Sequence, residues 1–178
     1  MCTPHFEIQN GVLAKCRMSG EEKVTVTIPD GVTSIGKDAC WGCDALKSIT
    51  IPDSVISIGD KVFAGCTALE NITIPNSVTS VGCDAFRWCV LLESIIIPKS
   101  VPSIGKGALF LCESLKSITI PENVTSDEVT VTVKVNPIAM KMWTLKYSRH
   151  IRVISRKALL MKLRLILILL RKIMNKKE

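Results

Sequence analysis

The sequence predicts an α/β-type solenoid, in which a parallel β-sheet covers one face and short helical or 3₁₀ turns cover the other. Three observations predict this fold class: a dipeptide that recurs at a constant interval, apolar residues that keep step with it, and a strand-like alternation before each copy. The dipeptide is Ile-Pro, and its copies are 23 residues apart: Ile28-Pro29, Ile51-Pro52, Ile74-Pro75, Ile97-Pro98 and Ile120-Pro121. Such a period is typical of coils that bury their apolar side chains against their neighbours.

One unit shows how each coil should be built. Apolar and polar residues alternate around Ile49 and Ile51, so both isoleucines should point inward from a strand. Pro52 should end that strand at a corner, because proline has no N–H to donate to a sheet. Gly59 marks the next corner, and the spacing from Val62-Phe63 to Cys66 predicts the helical or 3₁₀ turn on the outer side. We expect the strands of successive coils to pair in parallel.

The repeated unit reads I-P-x-S-V-T-S-I-G-x-x-A-F-x-x-C-x-x-L-x-S-I-T-I-P, with Leu46-x-x-Ile49-x-Ile51 as its strand segment. It resembles the BspA-like leucine-rich repeats of bacterial and protist surface proteins, strongly over residues 20–126. The resemblance implies a leucine-rich repeat, right-handed superhelix that works without a cofactor, is secreted or displayed on the cell surface, and mediates adhesion. The first ten residues, MCTPHFEIQN, lack the basic start and apolar run of a secretory signal, so the sequence itself predicts no export route.

One repeat position distinguishes these repeats from standard leucine-rich repeats, which carry an asparagine ladder there. Here the position holds small residues, whose serine hydroxyls can bond backbone groups. The residues are Gly31, Ser54, Ser77, Ser100 and Asn123.

The pattern divides the chain into three parts. Residues 1–23 are predicted to form an N-terminal hairpin cap, because Asn10-Gly11 between two alternating runs favours a type I′ turn. The hairpin would cover the open edge of the first coil. Residues 24–126 form the solenoid, with about five coils, and residues 127–178 form a basic C-terminal segment.

Charge is distributed very unevenly along the chain. Residues 1–138 hold 11 basic and 15 acidic residues, a net charge of −4, whereas residues 139–178 hold 12 basic residues and one acid, a net charge of +11. The alternating run VTVTVKV, residues 129–135, predicts a strand. Further on, Lys162, Arg164 and Arg171 bracket the apolar run Leu165–Leu170, which is too short to cross a membrane.

The interpretation of this tail stays open. It fits a basic amphipathic helix on a membrane or acidic surface, a degenerate sixth coil after a four-residue slip in register, an out-of-frame reading of repeat DNA, or a disordered terminus.

Half of the eight cysteines are predicted to be structural. Four of them share one repeat position and should form a buried ladder: Cys43, Cys66, Cys89 and Cys112. Thiols in a ladder point in parallel and do not converge on a tetrahedral metal, so no metal site is predicted. Cys40 to Cys43 spells a C-x-x-C redox motif, but Cys40 stands where other coils have Phe or Leu, and no βαβ unit surrounds it. Off the ladder, Cys2, Cys16 and Cys83 are open to being exposed, reactive or incidental.

The candidate binding surface is the outward face of the strands. It is rich in hydroxyls and nearly uncharged, and it suits a flat platform for a host or microbial surface protein, with a glycan as the alternative. Threonine also simply suits a half-exposed strand, and that interpretation stays open. The candidate residues are Thr27, Ser48, Thr50, Asn71, Thr73, Ser94, Ile96, Ser117 and Thr119.

Other functions have less support in the sequence. Neither histidine, His5 or His150, lies near a plausible nucleophile, so we expect no enzyme. The basic tail favours a membrane surface or a polyanion as the alternative partner, and no specific nucleic acid is predicted. Trp41 and Trp88 should lie near the outer turns as part of the core, although tryptophan is a frequent anchor residue in interfaces.

Overall fold

The structure is a computed structural model, and it describes residues 3–20, 22–121, 124, 131–132 and 144–145. Its strands are short, since most coils turn after two to five extended residues. In chain order they are β1 (Thr3–Gln9), β2 (Val12–Ser19), β3 (Val24–Thr27), β4 (Ser34–Ile35), β5 (Leu46–Thr50), β6 (Ser57–Ile58), β7 (Asn71–Thr73), β8 (Ser80–Val81), β9 (Ser94–Ile96), β10 (Ser117–Thr119), β11 (Val131–Thr132) and β12 (Thr144–Leu145).

Five strands form sheet B, in the order β10-β9-β7-β5-β3, and every neighbouring pair is parallel. Residues 23 apart lie side by side in most of it, as Thr50 and Thr73 do. The predicted solenoid of about five turns with parallel pairing is therefore confirmed. Ile49 and Ile51 are both buried, as the alternation predicts.

A second sheet, sheet A, was not predicted, and it is parallel except for the antiparallel pair β1–β2. Its order is β1-β2-β4-β6-β8, and strands β4, β6 and β8 pair through two residues each. An isolated parallel bridge between Val81 and Ile104 extends it by one coil. Strands of two residues are too short to show an alternation in sequence, which is why only the glycine corner beside them was recognised.

The helical or 3₁₀ turns expected on the outer side are not confirmed, since the described residues hold only strands and turns. The stacking of coils explains this result. In the second coil, Phe63 N donates to Ala85 O of the next coil at 2.8 Å, whereas Ala64 N donates to Lys61 O within its own turn at 3.1 Å. Because alternate N–H groups are used between coils, no continuous helical ladder can form.

The core consists of stacked rows of equivalent side chains. Phe63 and Phe86 occupy the same repeat position, and their rings stack with centroids 5.6 Å apart and planes 12° from parallel. Leu46, Leu69 and Leu92 form another row and are fully buried. Within a row, each side chain packs against its equivalents in the two neighbouring coils. Packing therefore couples the stability of each coil to that of its neighbours.

The N-terminal hairpin is present. Strands β1 and β2 pair antiparallel, and both turn residues, Asn10 at φ 50° and Gly11 at φ 74°, adopt the left-handed conformation that a type I′ turn requires. Strand β2 then pairs in parallel with β4 of the first coil. The hairpin therefore occupies the edge of sheet A.

The recurring corner glycines are required by close approach between coils. Gly82 N donates to Ile58 O of the preceding coil at 2.9 Å, and a Cβ on Gly82 would lie 2.5 Å from Asp60 N and from Gly59 C. Real Cβ atoms do not approach backbone this closely. The corner thus admits no side chain at all.

The amphipathic helix, the sixth coil after a slip and the other interpretations of the basic tail lie outside the described residues. Within the described ranges, no helix is long and apolar enough to span a bilayer.

Candidate functional site

The nine predicted binding residues lie on the outward side of sheet B, which we call the sheet-B face: Thr27, Ser48, Thr50, Asn71, Thr73, Ser94, Ile96, Ser117 and Thr119. The strand register places Thr27, Thr50 and Thr73 side by side on successive coils, and Ile96 beside Thr119. All nine side chains are exposed or half-buried. Ile96 is the one apolar residue among the nine, a 64% exposed isoleucine in a row of threonines.

Charged residues lie along the borders of this face. At one end of the strands, Lys47 pairs with Glu70 at 3.5 Å and Lys116 pairs with Glu93 at 2.5 Å. These pairs are largely exposed, so each contributes little to stability. In each pair, a lysine of one coil neutralises a glutamate of the adjacent coil at the border of the face. The nine residues of the face itself are uncharged.

A ladder of serine hydroxyls holds the corner that follows each strand. Ser54 Oγ donates to Val32 O at 2.8 Å, Ser77 Oγ to Val55 O at 2.8 Å, and Ser100 Oγ to Val78 O at 2.6 Å. The expectation that serine replaces asparagine at this position is confirmed for these three coils. Each hydroxyl satisfies a carbonyl of the preceding coil and so fixes the spacing between coils beside the face.

The predicted cysteine ladder is confirmed as buried, and its thiols also donate hydrogen bonds, which sequence reasoning missed. Cys66, Cys89 and Cys112 each donate from Sγ, at 3.1 Å, to a carbonyl 26 residues earlier in the chain. Burial raises the pKa of the Cys112 thiol to about 12, and burial likewise raises the pKa of Cys66 and Cys89 well above the ordinary value. These thiols therefore stay protonated.

The C-x-x-C motif does not have the properties of a redox site. Cys40 and Cys43 are both buried, and the hydrogen bond with Cys16, followed by burial, raises the pKa of the Cys43 thiol far above its ordinary value. A redox-active cysteine has a lowered pKa instead. Cys43 Sγ donates to Cys16 O at 3.6 Å, so strand β2 takes the place of a preceding coil in the cysteine ladder.

The remaining cysteines differ from one another. Cys16 is buried, which excludes the exposed and reactive alternatives for this residue. Cys83 is exposed, and its backbone N–H donates to Asp60 Oδ1 at 2.7 Å. Cys2 lies outside the described residues. Across the part of the chain that is described, no three His, Cys, Asp or Glu side chains are grouped closely enough to hold a metal ion.

The two tryptophans of the outer turns are more exposed than the sequence analysis predicted. Trp41 is 58% exposed and Trp88 46% exposed, so neither is the partial core residue expected. The guanidinium of Arg87 stacks between Trp88, at 4.8 Å, and Phe110, at 5.0 Å. Trp88 has φ 61° at the repeat position where the earlier coils carry Gly42 and Gly65. Glycine at this position in the earlier coils was the sequence signal for a left-handed backbone, because only glycine adopts a positive φ without strain.

Two bacterial proteins of solved structure illustrate what this chain is similar to. A leucine-rich repeat protein of T. pallidum is 27% identical, with a TM-score of 0.60, over 69% of this chain and 60% of its own. A leucine-rich repeat protein of Bacteroides ovatus is 36% identical, with a TM-score of 0.60, over 70% of this chain and 35% of its own. The chain thus spans less than two thirds of either protein.

The family comparison agrees with the geometry. No curated protein matches the sequence. The family profile described as "BspA type Leucine rich repeat region" matches residues 7–130 with six copies. Leucine-rich repeats are commonly protein-interaction modules, on a scaffold that is generally non-enzymatic. The chain belongs to the BspA-type leucine-rich repeat family.

Proposed function

We propose that this chain is a non-enzymatic adhesion module, displayed at the cell surface or secreted, which binds a host or microbial surface protein through the sheet-B face. The observation that carries the proposal is the uncharged row of exposed side chains across five parallel strands, such as Thr27, Thr50 and Thr73. Pairing between the strands and the serine ladder fix the backbone that carries these side chains, so a partner would not have to order a loop on binding.

Ile96 supplies the apolar anchor of the proposed interface. Its side chain is the most exposed of the large hydrophobic residues described, at 64%, and it replaces a threonine on the fourth of the five strands. Isolated exposed apolar residues are common on protein surfaces. An exposed isoleucine surrounded by short hydroxyl side chains is nevertheless the position where a partner could bury the most apolar area.

The charge pattern also suits a protein partner. Protein interfaces are depleted of charge at the centre and polar at the rim. The sheet-B face has this arrangement, because Thr50 and Thr73 are central and neutral whereas the pair Lys47–Glu70 borders the strands.

Replacing Thr50, Thr73 and Thr119 together with lysine tests the proposal. The three charges should abolish binding to intact target cells while circular dichroism shows the same fold, because all three side chains are exposed. Thr79→Lys is the matched control, since Thr79 is an exposed threonine beside sheet A. Cell binding that survives the triple substitution would refute the role of this face.

Ile96→Thr provides a second, milder test, because it makes the row uniform without adding charge. Loss of an interface anchor should weaken binding by about tenfold or more. Treating the target cells with protease should remove the binding partner. If glycosidase removes it and protease does not, the partner is a glycan and the proposed partner class is wrong.

The charge asymmetry favours a second candidate function, in which the basic tail binds a membrane surface or a polyanion. Residues 139–178 carry a net charge of +11, so affinity for anionic vesicles or heparin should fall steeply as salt concentration rises. Deleting residues 139–178 should abolish this binding and leave the binding to target cells unchanged. Vesicle binding that persists after the deletion would exclude the tail as the site.

A further inference from the structure

Two exposed tryptophans lie on either side of an open part of the outer turns. Trp41 belongs to the first coil and is 58% exposed, and Trp88 belongs to the third coil and is 46% exposed. Gly42 follows Trp41, and Gly65 lies on the second coil, between the two tryptophans. We call Gly42 and Gly65 the glycine shelf. Chain neighbours aside, a Cβ on Gly42 would meet no atom within 4 Å, and a Cβ on Gly65 would meet only the backbone of Gly42. No side chain from another coil therefore covers the shelf.

Backbone hydrogen bonds set the distance between the coils that carry the two indoles. Gly42 N donates to Ala64 O at 2.9 Å, and Gly65 N donates to Arg87 O at 2.7 Å, so each outer turn is bonded to the next. Backbones paired by such bonds lie about 4.8 Å apart. The two tryptophans are two spacings apart, so their attachment points are about 10 Å apart along the array.

The later coils adopt a strained backbone that brings apolar side chains to this surface. Trp88 has φ 61° and Leu111 has φ 62°, at the repeat position where the earlier coils carry the shelf glycines. Strained backbone of this kind is concentrated at binding sites. The indole of Trp88 is also held in place, because the guanidinium of Arg87 stacks on it at 4.8 Å and pairs with Asp84 at 3.4 Å.

Both indoles have a hydrogen-bond donor to offer to a partner. Among the described residues, no group accepts a hydrogen bond from the indole N–H of Trp41 or Trp88. An indole N–H can only donate, so a partner must supply an acceptor. The carbonyl groups of an α-helix are bonded internally. A polyproline II segment has no internal hydrogen bonds, so its carbonyl groups are free to accept.

The spacing of the indoles also matches a polyproline II segment. This helix has three residues per turn and rises about 3.1 Å per residue, so every third residue lies on the same side, about 9 Å further along. The indoles are about 10 Å apart in the same direction. One proline ring can therefore pack on Trp41 and the third residue after it on Trp88. The residues between them pass over Gly65, where a side chain would block their approach.

We propose that Trp41, Trp88 and the glycine shelf bind a proline-rich segment of a partner protein in the polyproline II conformation. The segment lies along the array across three coils, with prolines against the indoles and with its carbonyl groups accepting from the indole N–H groups. The site lies on the outer turns, so this proposal is independent of what the sheet-B face binds.

Titration of the full chain with nonaproline, followed by NMR of the indole N–H signals, tests the site. Nonaproline at millimolar concentrations should shift the signals of Trp41 and Trp88. Trp41→Ala and Trp88→Gly should each weaken its binding by about tenfold or more. Trp88→Gly keeps the fold, because glycine adopts a positive φ without strain. A glycine–serine peptide of the same length should shift neither signal.

Ile56→Ala is the matched control, because Ile56 is a 52% exposed apolar residue beside sheet A. It should leave nonaproline binding unchanged. Lysine at Thr50, Thr73 and Thr119 should also leave it unchanged, which separates this site from the sheet-B face.

Three results would overturn the proposal. The first is that nonaproline shifts neither indole signal. The second is that both tryptophan variants bind nonaproline as tightly as the unsubstituted chain does. The third is that cellohexaose shifts both signals whereas nonaproline does not, because the ligand of the two indoles would then be a glycan.

Discussion

Alanine at Gly82 would place a methyl group 2.5 Å from Asp60 N and from Gly59 C, where ordinary contact begins at 3.4 Å. The two coils would have to separate by about 1 Å. The hydrogen bond from Gly82 N to Ile58 O, now 2.9 Å, would then lengthen beyond the normal range. Overpacking of this kind costs about 1–3 kcal/mol and the lost hydrogen bond about 1 kcal/mol. We therefore expect Gly82→Ala to lower the free energy of unfolding by about 2–4 kcal/mol.

Urea unfolding followed by circular dichroism measures this loss, with Gly42→Ala as the control. A Cβ on Gly42 would meet no atom within 4 Å, and only its φ of 67° opposes alanine, so this change should cost about 1 kcal/mol. Alanine substitutions at the corner glycines should also lower the free energy of unfolding by increasing amounts from Gly36 to Gly105, because the space for a Cβ narrows in that order. Equal losses for Gly82→Ala and Gly42→Ala would refute the close-approach explanation.

Three further predictions concern single side chains. Trp88 has φ 61°, so Trp88→Gly should be about 1 kcal/mol more stable to urea than Trp88→Ala; a more stable alanine variant would contradict the strain. Ser77→Ala removes the bond to Val55 O and should cost about 1 kcal/mol in the same assay, whereas no loss would show the ladder to be dispensable. The pKa of Cys112 is raised from 9.0 to about 12 in the folded protein, so the stability from its neutral thiol is complete below pH 9 and is lost between pH 9 and 12. The stability difference between the unsubstituted chain and Cys112→Ala should thus shrink by about 1.4 kcal/mol between pH 7 and pH 10; a constant difference would exclude this linkage.

Much of the fold was predictable because the repeat constrains many positions at once. The Ile-Pro spacing placed the strands of sheet B, and the alternation around Ile49 and Ile51 identified the buried side correctly. The type I′ turn at Asn10-Gly11 followed from local chemistry alone.

The features that sequence reasoning missed depend on contacts between coils. The outer turns have helical spacing, but alternate N–H groups donate to the neighbouring coil, as Phe63 does to Ala85, and a single unit cannot reveal this competition. The short strands of sheet A have no alternation to detect. The left-handed backbone of Trp88 was missed because its signal, Gly42 and Gly65 at the same repeat position, lies in other coils.

The sheet-B face was predicted only in part for a similar reason. Alternation along each strand shows which residues point outward, but the order of the coils decides which of them are neighbours. That Ile96 lies beside Thr119 in a flat row is a property of the register. What the row binds depends on a partner whose chemistry this chain does not encode.

The bonds from Ser77 Oγ to Val55 O and from Cys89 Sγ to Phe63 O join residues 22 and 26 positions apart. Each bond spans one full circuit of the chain, so its length depends on the number of residues in that circuit. Inserting or deleting one residue would misalign the serine, cysteine and glycine positions together, whereas adding a whole 23-residue unit would preserve all of them. An array built in this way keeps these contacts only when it gains or loses complete 23-residue turns.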